Sequence, residues 1–208
     1  MNKTQMLLNF IIALLLGLIS GYYDFPLWIT LIILSIILLP MNLYPIINSL
    51  YLTKDHDKVE KFLIQRKKQP MYMFYYALAN DNKEESEDAL ERLRSRYKQN
   101  PHWKAVFEVA YALHFHSLLS VKEKIGDIKQ KDARDYYEAL VSIEQGDSEA
   151  AIEAVNPMKK QWMKESILAA VAKKKGMREE ARNHENAAIE HAKGIQRYIL
   201  VKVQEHRG

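Results

Sequence analysis

Two apolar runs open the chain, and a helical pattern of mixed polarity follows them to its end. The first run, MLLNFIIALLLGLIS, extends through uncharged flanks from about Thr4 to Tyr23 and reaches the roughly 20 residues needed to cross a bilayer core of about 30 Å. The second begins at Phe25-Pro26, continues through LWITLIILSIILL to Pro40, and then through MNLYPIINSLYL to Leu52. It is also long enough to span. Between them lies Gly21-Tyr22-Tyr23-Asp24-Phe25-Pro26, in which Gly21 and Pro26 break helices and Asp24 prefers water. Tyr22, Tyr23 and Trp28 are amphipathic rings suited to headgroup depth. The pattern predicts a transmembrane helical hairpin over residues 1–53. Pro40 and Pro45 lack amide hydrogens, so the second span is expected to kink or break near its end. Residues 41–52 would then leave obliquely along the interface, where Tyr44 and Tyr51 fit.

From Asp55 onward the sequence is rich in Ala, Glu, Lys, Leu and Arg at helical spacing, without an alternating strand pattern. Breaks fall at Gln69-Pro70, Asn80-Asp81-Asn82, Asn100-Pro101, Gly126-Asp127, Gly146-Asp147, Asn156-Pro157 and Gly176. The expected fold is therefore all-α, with short helices pairing as antiparallel hairpins. Three pairs of alanines share one offset of 12 residues, each pair straddling a polar turn: Ala77 and Ala89, Ala139 and Ala151, Ala169 and Ala181. Small residues at that offset let two antiparallel helices approach closely. The register repeats about every 30 residues.

On these residues the chain resembles tetratricopeptide-repeat (TPR) proteins, whose units of about 34 residues carry small residues at the contact of their two helices. Pro101 follows Ala89 by 12 residues, where that family often places an exit proline. The clearest unit is YYEALVSIEQGDSEAAIEAV, Tyr136 to Val155, followed by ILAAVAKKKGMREEA, Ile167 to Ala181. The resemblance covers roughly residues 70 to 190 and implies a TPR-like antiparallel helical-hairpin solenoid over 70–208 with a concave partner-binding face. The unit HWKAVFEVAYALHFHSLLSVKEKIGDI lacks the paired alanines, and the family's aromatic-Leu-Gly signature is absent, so an irregular bundle is the architectural alternative. The last helix is expected to run unbroken from Arg178 to about Glu205 as a terminal cap.

Charge divides the chain in the same way. Lys and Arg number 30 against 26 Asp and Glu, a net charge of +4 that does not mark a nucleic-acid binder. Yet between Lys3 and Lys54 the only charged residue is Asp24. Lys3 flanks the first run, Lys54, Lys58, Lys61, Arg66, Lys67 and Lys68 follow the second, and the turn between has no cation. The positive-inside rule then puts both termini in the cytoplasm of a multi-pass cell-membrane protein. Residues 54–69 read as a basic juxtamembrane segment whose six cations lie at the membrane surface, beside the bilayer's anionic lipids. A cleaved signal peptide beginning at Met1-Asn2-Lys3 is the competing reading; Leu18-Ile19-Ser20 is a poor cleavage context and a second span follows at once.

The chemistry-bearing residues do not assemble into a catalytic motif. There is no cysteine, phosphate-cradling loop, nucleophile elbow or H-E-x-x-H. His114 and His116 diverge on a helix, and His184 and His191 stand about 10 Å apart along one. No cofactor and no catalytic or metal-ligating residue is expected. Met71-Tyr72-Met73-Phe74-Tyr75-Tyr76 and Tyr136-Tyr137 suit either a core or a peptide groove. Tyr72, Tyr75 and Tyr136 are the candidate partner contacts, with Arg92 and Arg96 as an electrostatic rim. The reading is a non-enzymatic, membrane-anchored adaptor or accessory subunit that holds a protein or peptide partner, such as an integral-membrane complex, at the bilayer. Its rival is a tethered helical enzyme or metal-dependent domain.

Overall fold

The computed structural model describes the backbone of residues 3–207 and the side chains of residues 6–206. Met1 and Asn2 and the Lys3 side chain, on which the N-terminal orientation and leader readings draw, lie outside these described residues. The chain is all-helical, with twelve α-helices and no strand among the described residues. It divides into two compact units, one up to Asn48 and one from Ser49 onward.

In the first unit, α1 (Lys3–Tyr22) and α2 (Leu27–Ile47) pack against each other across a short turn. Asp24 holds the turn with a positive φ of 52°, a conformation that short polar side chains tolerate better than most. Asn9 Nδ2 donates to Asn42 Oδ1 at 3.1 Å, and the Ser20 and Thr30 hydroxyls bond to each other. These polar pairs join the helices at separated levels. None of the described α2 residues is buried. The helical stretch Leu27–Leu52 is long and apolar enough to cross a membrane, while the apolar part of α1 described, Met6–Tyr22, is shorter. Of the kink or break expected at the prolines, the break does not occur: α2 passes through Pro40 and Pro45, and a π-helical turn, Asn48–Leu52, continues it.

The second unit begins with α3 (His56–Gln65), capped by the Asp55 carboxylate, which accepts from the Lys58 amide at 3.0 Å. Val59, Phe62 and Leu63 bury one face of α3, so the basic stretch is a helix of this unit's own core. Next come α4 (Pro70–Ala79) and α5 (Lys83–Arg96), then α6 (Pro101–Phe115). A 3₁₀ turn, Leu118–Val121, leads into the one-turn α7 (Lys122–Ile125). The remaining helices are α8 (Lys131–Gln145), α9 (Ser148–Val155), α10 (Gln161–Lys174), α11 (Arg178–His191) and α12 (Gly194–Arg207). Asn82, Asn100 and Asp147 cap α5, α6 and α9 through their side chains, and Gly146 ends α8 in the left-handed conformation.

The principal contacts pair α4 with α5, α8 with α9 and α10 with α11. Each of the three alanine pairs lies on the two helices of one such hairpin, and all six alanines are buried. Where the alanines are missing, α6 packs instead on the 3₁₀ turn and α7. That irregular partner is held by a buried carboxylate. Glu108, 3% exposed, accepts from Arg94 of α5 at 2.7 Å and from Lys124 of α7 at 2.6 Å. Burial alone would raise its pKa; hydrogen bonds from Lys124 and Arg94 outweigh that cost and hold it below the ordinary glutamate value.

The expected single long final helix is two helices. The chain turns extended at Ala192, and α12 packs against α3 and α4 as well as α11, so the last helix joins the first elements of the unit instead of capping the last hairpin. Four contacts, from three of its residues, fix it there. The Gly194 amide donates to the Thr53 carbonyl at 2.7 Å. The fully buried Tyr198 accepts from Asn80 Nδ2 at 2.8 Å and donates to Glu60 at 3.2 Å. Lys202 pairs with the other Glu60 oxygen at 3.7 Å.

Candidate functional site

A groove of about 740 Å³ runs across the second unit, lined by one face each of α4, α6, α8 and α10, with α11, α12 and the turn at Leu50-Tyr51 supplying further walls. Its aromatic lining steps from helix to helix: Tyr75 on α4, Trp103 on α6, Tyr136 and Tyr137 on α8, and Trp162 on α10. The Tyr136 ring meets Tyr137 at 5.3 Å and Trp162 at 5.5 Å between centroids, linking α8 to α10. From α12, Ile199, Leu200 and Val203 add an aliphatic side. Burial raises the pKa of Tyr75 strongly and pushes that of Tyr137 up to about 12, so both phenols stay protonated at neutral pH.

The polar lining is sparse and unequal in sign. Gln130 and Gln196 offer amides that both donate and accept, which suits a partner's main chain, while the Gln204 amide donates to Asn186 at 2.8 Å. Glu185 is the single acidic side chain in the lining, and Lys173 pairs with it. His114 faces Asp81 at 3.3 Å. Lys160 and Lys193 also line the groove, exposed. Close by the groove, Glu165 of α10 bonds His184 of α11 at 2.7 Å and accepts from Gln161 at 2.7 Å. Burial opposes its charge, but these bonds dominate and lower its pKa. This pair ties the two helices of the last hairpin together. Among the described residues, no group of three His, Asp or Glu side chains is placed to hold a metal ion.

Of the residues singled out from sequence, Tyr75 and Tyr136 line the groove, Tyr136 by an edge only, since it is 8% exposed and belongs to the core between α8 and α10. Tyr72 does not. It is 6% exposed and meets Phe62 edge-on at 5.5 Å, inside the contact between α3 and α4. Arg92 and Arg96 are exposed on α5, outside the groove lining; Arg92 pairs with Asp88 at 2.9 Å and Arg96 lies over the Tyr97 ring. The six basic residues after the second apolar run divide into two sets. Arg66 stacks over Phe62 at 4.0 Å, and Lys67 pairs with Glu85 at 2.7 Å while covering the Tyr76 ring, so both serve the fold. Lys54, Lys58, Lys61 and Lys68 are exposed. The groove residues that sequence reasoning missed are chiefly Trp103, Trp162 and the inner face of α12, while Tyr137, weighed beside Tyr136 as core or groove, lines it. One signal was available: Trp103 and Trp162 each stand in the first turn of a helix that opens a hairpin.

No protein-family model, curated protein or solved structure matches this chain.

Proposed function

We propose that the chain is a membrane-anchored adaptor or accessory subunit whose TPR-like helical unit holds a protein partner at the cytoplasmic face of the cell membrane. In this reading α1 and α2 form a two-span anchor, both termini are cytoplasmic, and the array from α4 to α11 is a solenoid of helical hairpins with one irregular member. The observation that carries the binding role is the groove, walled by aromatic rings from four alternate helices, α4, α6, α8 and α10, and furnished with amides suited to a peptide main chain. The anchor is supported by the unburied apolar surface of α2, which no packed core in its unit covers. Lys54, Lys58, Lys61 and Lys68 suit the anionic headgroup region. Tethering raises the partner's local concentration without any new contact. Tyr75 and Tyr136 remain contact candidates, joined by Tyr137 and Trp162.

The test is photo-cross-linking in intact membranes, with a photoreactive side chain placed at Gln130 or Gln196 in the groove and at Ser95 or Glu149 outside its lining. Discrete adducts of one mass from the groove positions, absent from the outer ones, are expected. Equal labelling from both sets, or none from the groove, would contradict a groove-bound partner.

A further inference from the structure

Charge within the groove says what kind of partner segment it takes. Of the charged side chains lining it, Glu185 is neutralised by Lys173 and His114 faces Asp81. The remaining basic side chains of the lining are Lys160, His191 and Lys193. No ion pair engages Lys160 or Lys193 within the described residues. All three fall at one end of the α10–α11 hairpin, opposite its Lys175–Met177 turn. Lys160 immediately precedes α10, His191 is the last residue of α11, and Lys193 precedes α12. The helix α8 packs on α10 and runs in the same sense, because α9 returns between them, so its first turn and Gln130 open toward this end as well. The aromatic shelf of Tyr136, Tyr137 and Trp162 begins directly beside these groups, since Trp162 is two residues beyond Lys160.

On this arrangement, and resting on the groove reading above, we infer that the occupant is an acidic amphipathic segment of a protein partner. Its apolar side chains lie on the Tyr137–Trp162 shelf, and a run of Asp or Glu side chains meets Lys160 and Lys193. Two separated ammonium groups, each a mobile point charge, match several carboxylates spread along a segment better than one planar anion. Carboxylates in the occupant restore the charge balance that the groove lacks, and a basic segment is repelled at the same end.

Peptide display on the full-length protein in lipid nanodiscs tests this, using a random library of peptides about a dozen residues long. Selected binders are expected to be enriched in Asp and Glu next to aromatic or aliphatic residues and to weaken as salt rises. The double variant K160E/K193E should weaken such a binder by about tenfold or more, while K83E/K98E, at exposed positions outside the groove lining, leaves it unchanged. Groove dependence is read with Ala170→Trp, which fills the lining, and with Gln130→Trp at the exposed rim should the first variant lose its helical signal. Binders blocked by these tryptophans but showing no acidic enrichment overturn the inference and leave the groove reading standing. Absence of any groove-dependent binder overturns both. A dimer that the tryptophan variants dissociate, seen by mass photometry, assigns the groove to a second copy and overturns the inference.

Discussion

Gly194→Ala is expected to detach α12 from the start of its unit, at a cost of about 3 kcal/mol or more. Gly194 holds φ at +56°, and a Cβ built there would overlap the Leu50 carbonyl and the Tyr51 nitrogen, all backbone atoms with little freedom to move. The Gly194 amide also donates to Thr53, so the helix cannot shift away without losing that bond. Two costs therefore add: left-handed strain of about 1–2 kcal/mol for a non-glycine residue, and a backbone overlap. Gly176 separates them. It has φ of +77° with nothing near its missing Cβ, so Gly176→Ala should show the strain alone. Denaturant unfolding of both variants measures the difference. Equal losses would mean that the close approach of Gly194 to Leu50 contributes nothing.

Tyr198→Ala is expected to cost about 3–5 kcal/mol, the range for removing a large aromatic ring from a core. Tyr198 is fully buried where α12 meets α3 and α4, and its hydroxyl is the only link that joins Asn80 to Glu60 through one atom. Tyr198→Phe keeps the ring and removes that link. Asn80 keeps its bond to the Tyr76 carbonyl at 2.8 Å and Glu60 keeps Lys202, so the loss should be about 1–2 kcal/mol. The alanine variant should also open the groove wall, because Ile199, Leu200 and Val203 of α12 line it. Hydrogen exchange reads this directly: amides of α12 and of α3 should lose protection together, while those of α8 to α11 keep theirs. Uniform loss across the unit would show that α12 is no separable wall.

The hairpins were legible in the sequence because their determinants are local. Asn82, Asn100 and Asp147 mark helix starts, Gly146 marks an end, and the alanine offset fixes which helices pair. The placement of α12 was not legible, since its partners Asn80 and Glu60 lie more than a hundred residues away and no periodicity encodes that pairing. Its boundary was. The Gly194 in HAKGIQ interrupts an otherwise continuous helical pattern. The buried face of α3 was hidden by the lysines around Val59, Phe62 and Leu63, which made a core helix look like a basic linker. The tyrosines show the limit most clearly: Tyr72 and Tyr75 are three residues apart on α4, yet the first fills the core and the second lines the groove. Which side a neighbouring helix covers is decided by tertiary packing. Similarly, Pro40 and Pro45 predict a break from local chemistry, but the helix continues through them.

Single-cysteine labelling in intact cells decides whether α1 and α2 form a hairpin anchor with the groove-bearing unit in the cytoplasm, since the sequence has no native cysteine. Cysteines are placed one at a time at Asp24, in the turn between α1 and α2, and at Ser120, an exposed position of the second unit. With a membrane-impermeant reagent outside the cell, labelling at residue 24 and none at residue 120 until the membrane is opened is the expected result. External labelling at residue 120, or protection of residue 24 that persists with the membrane open, would contradict the account.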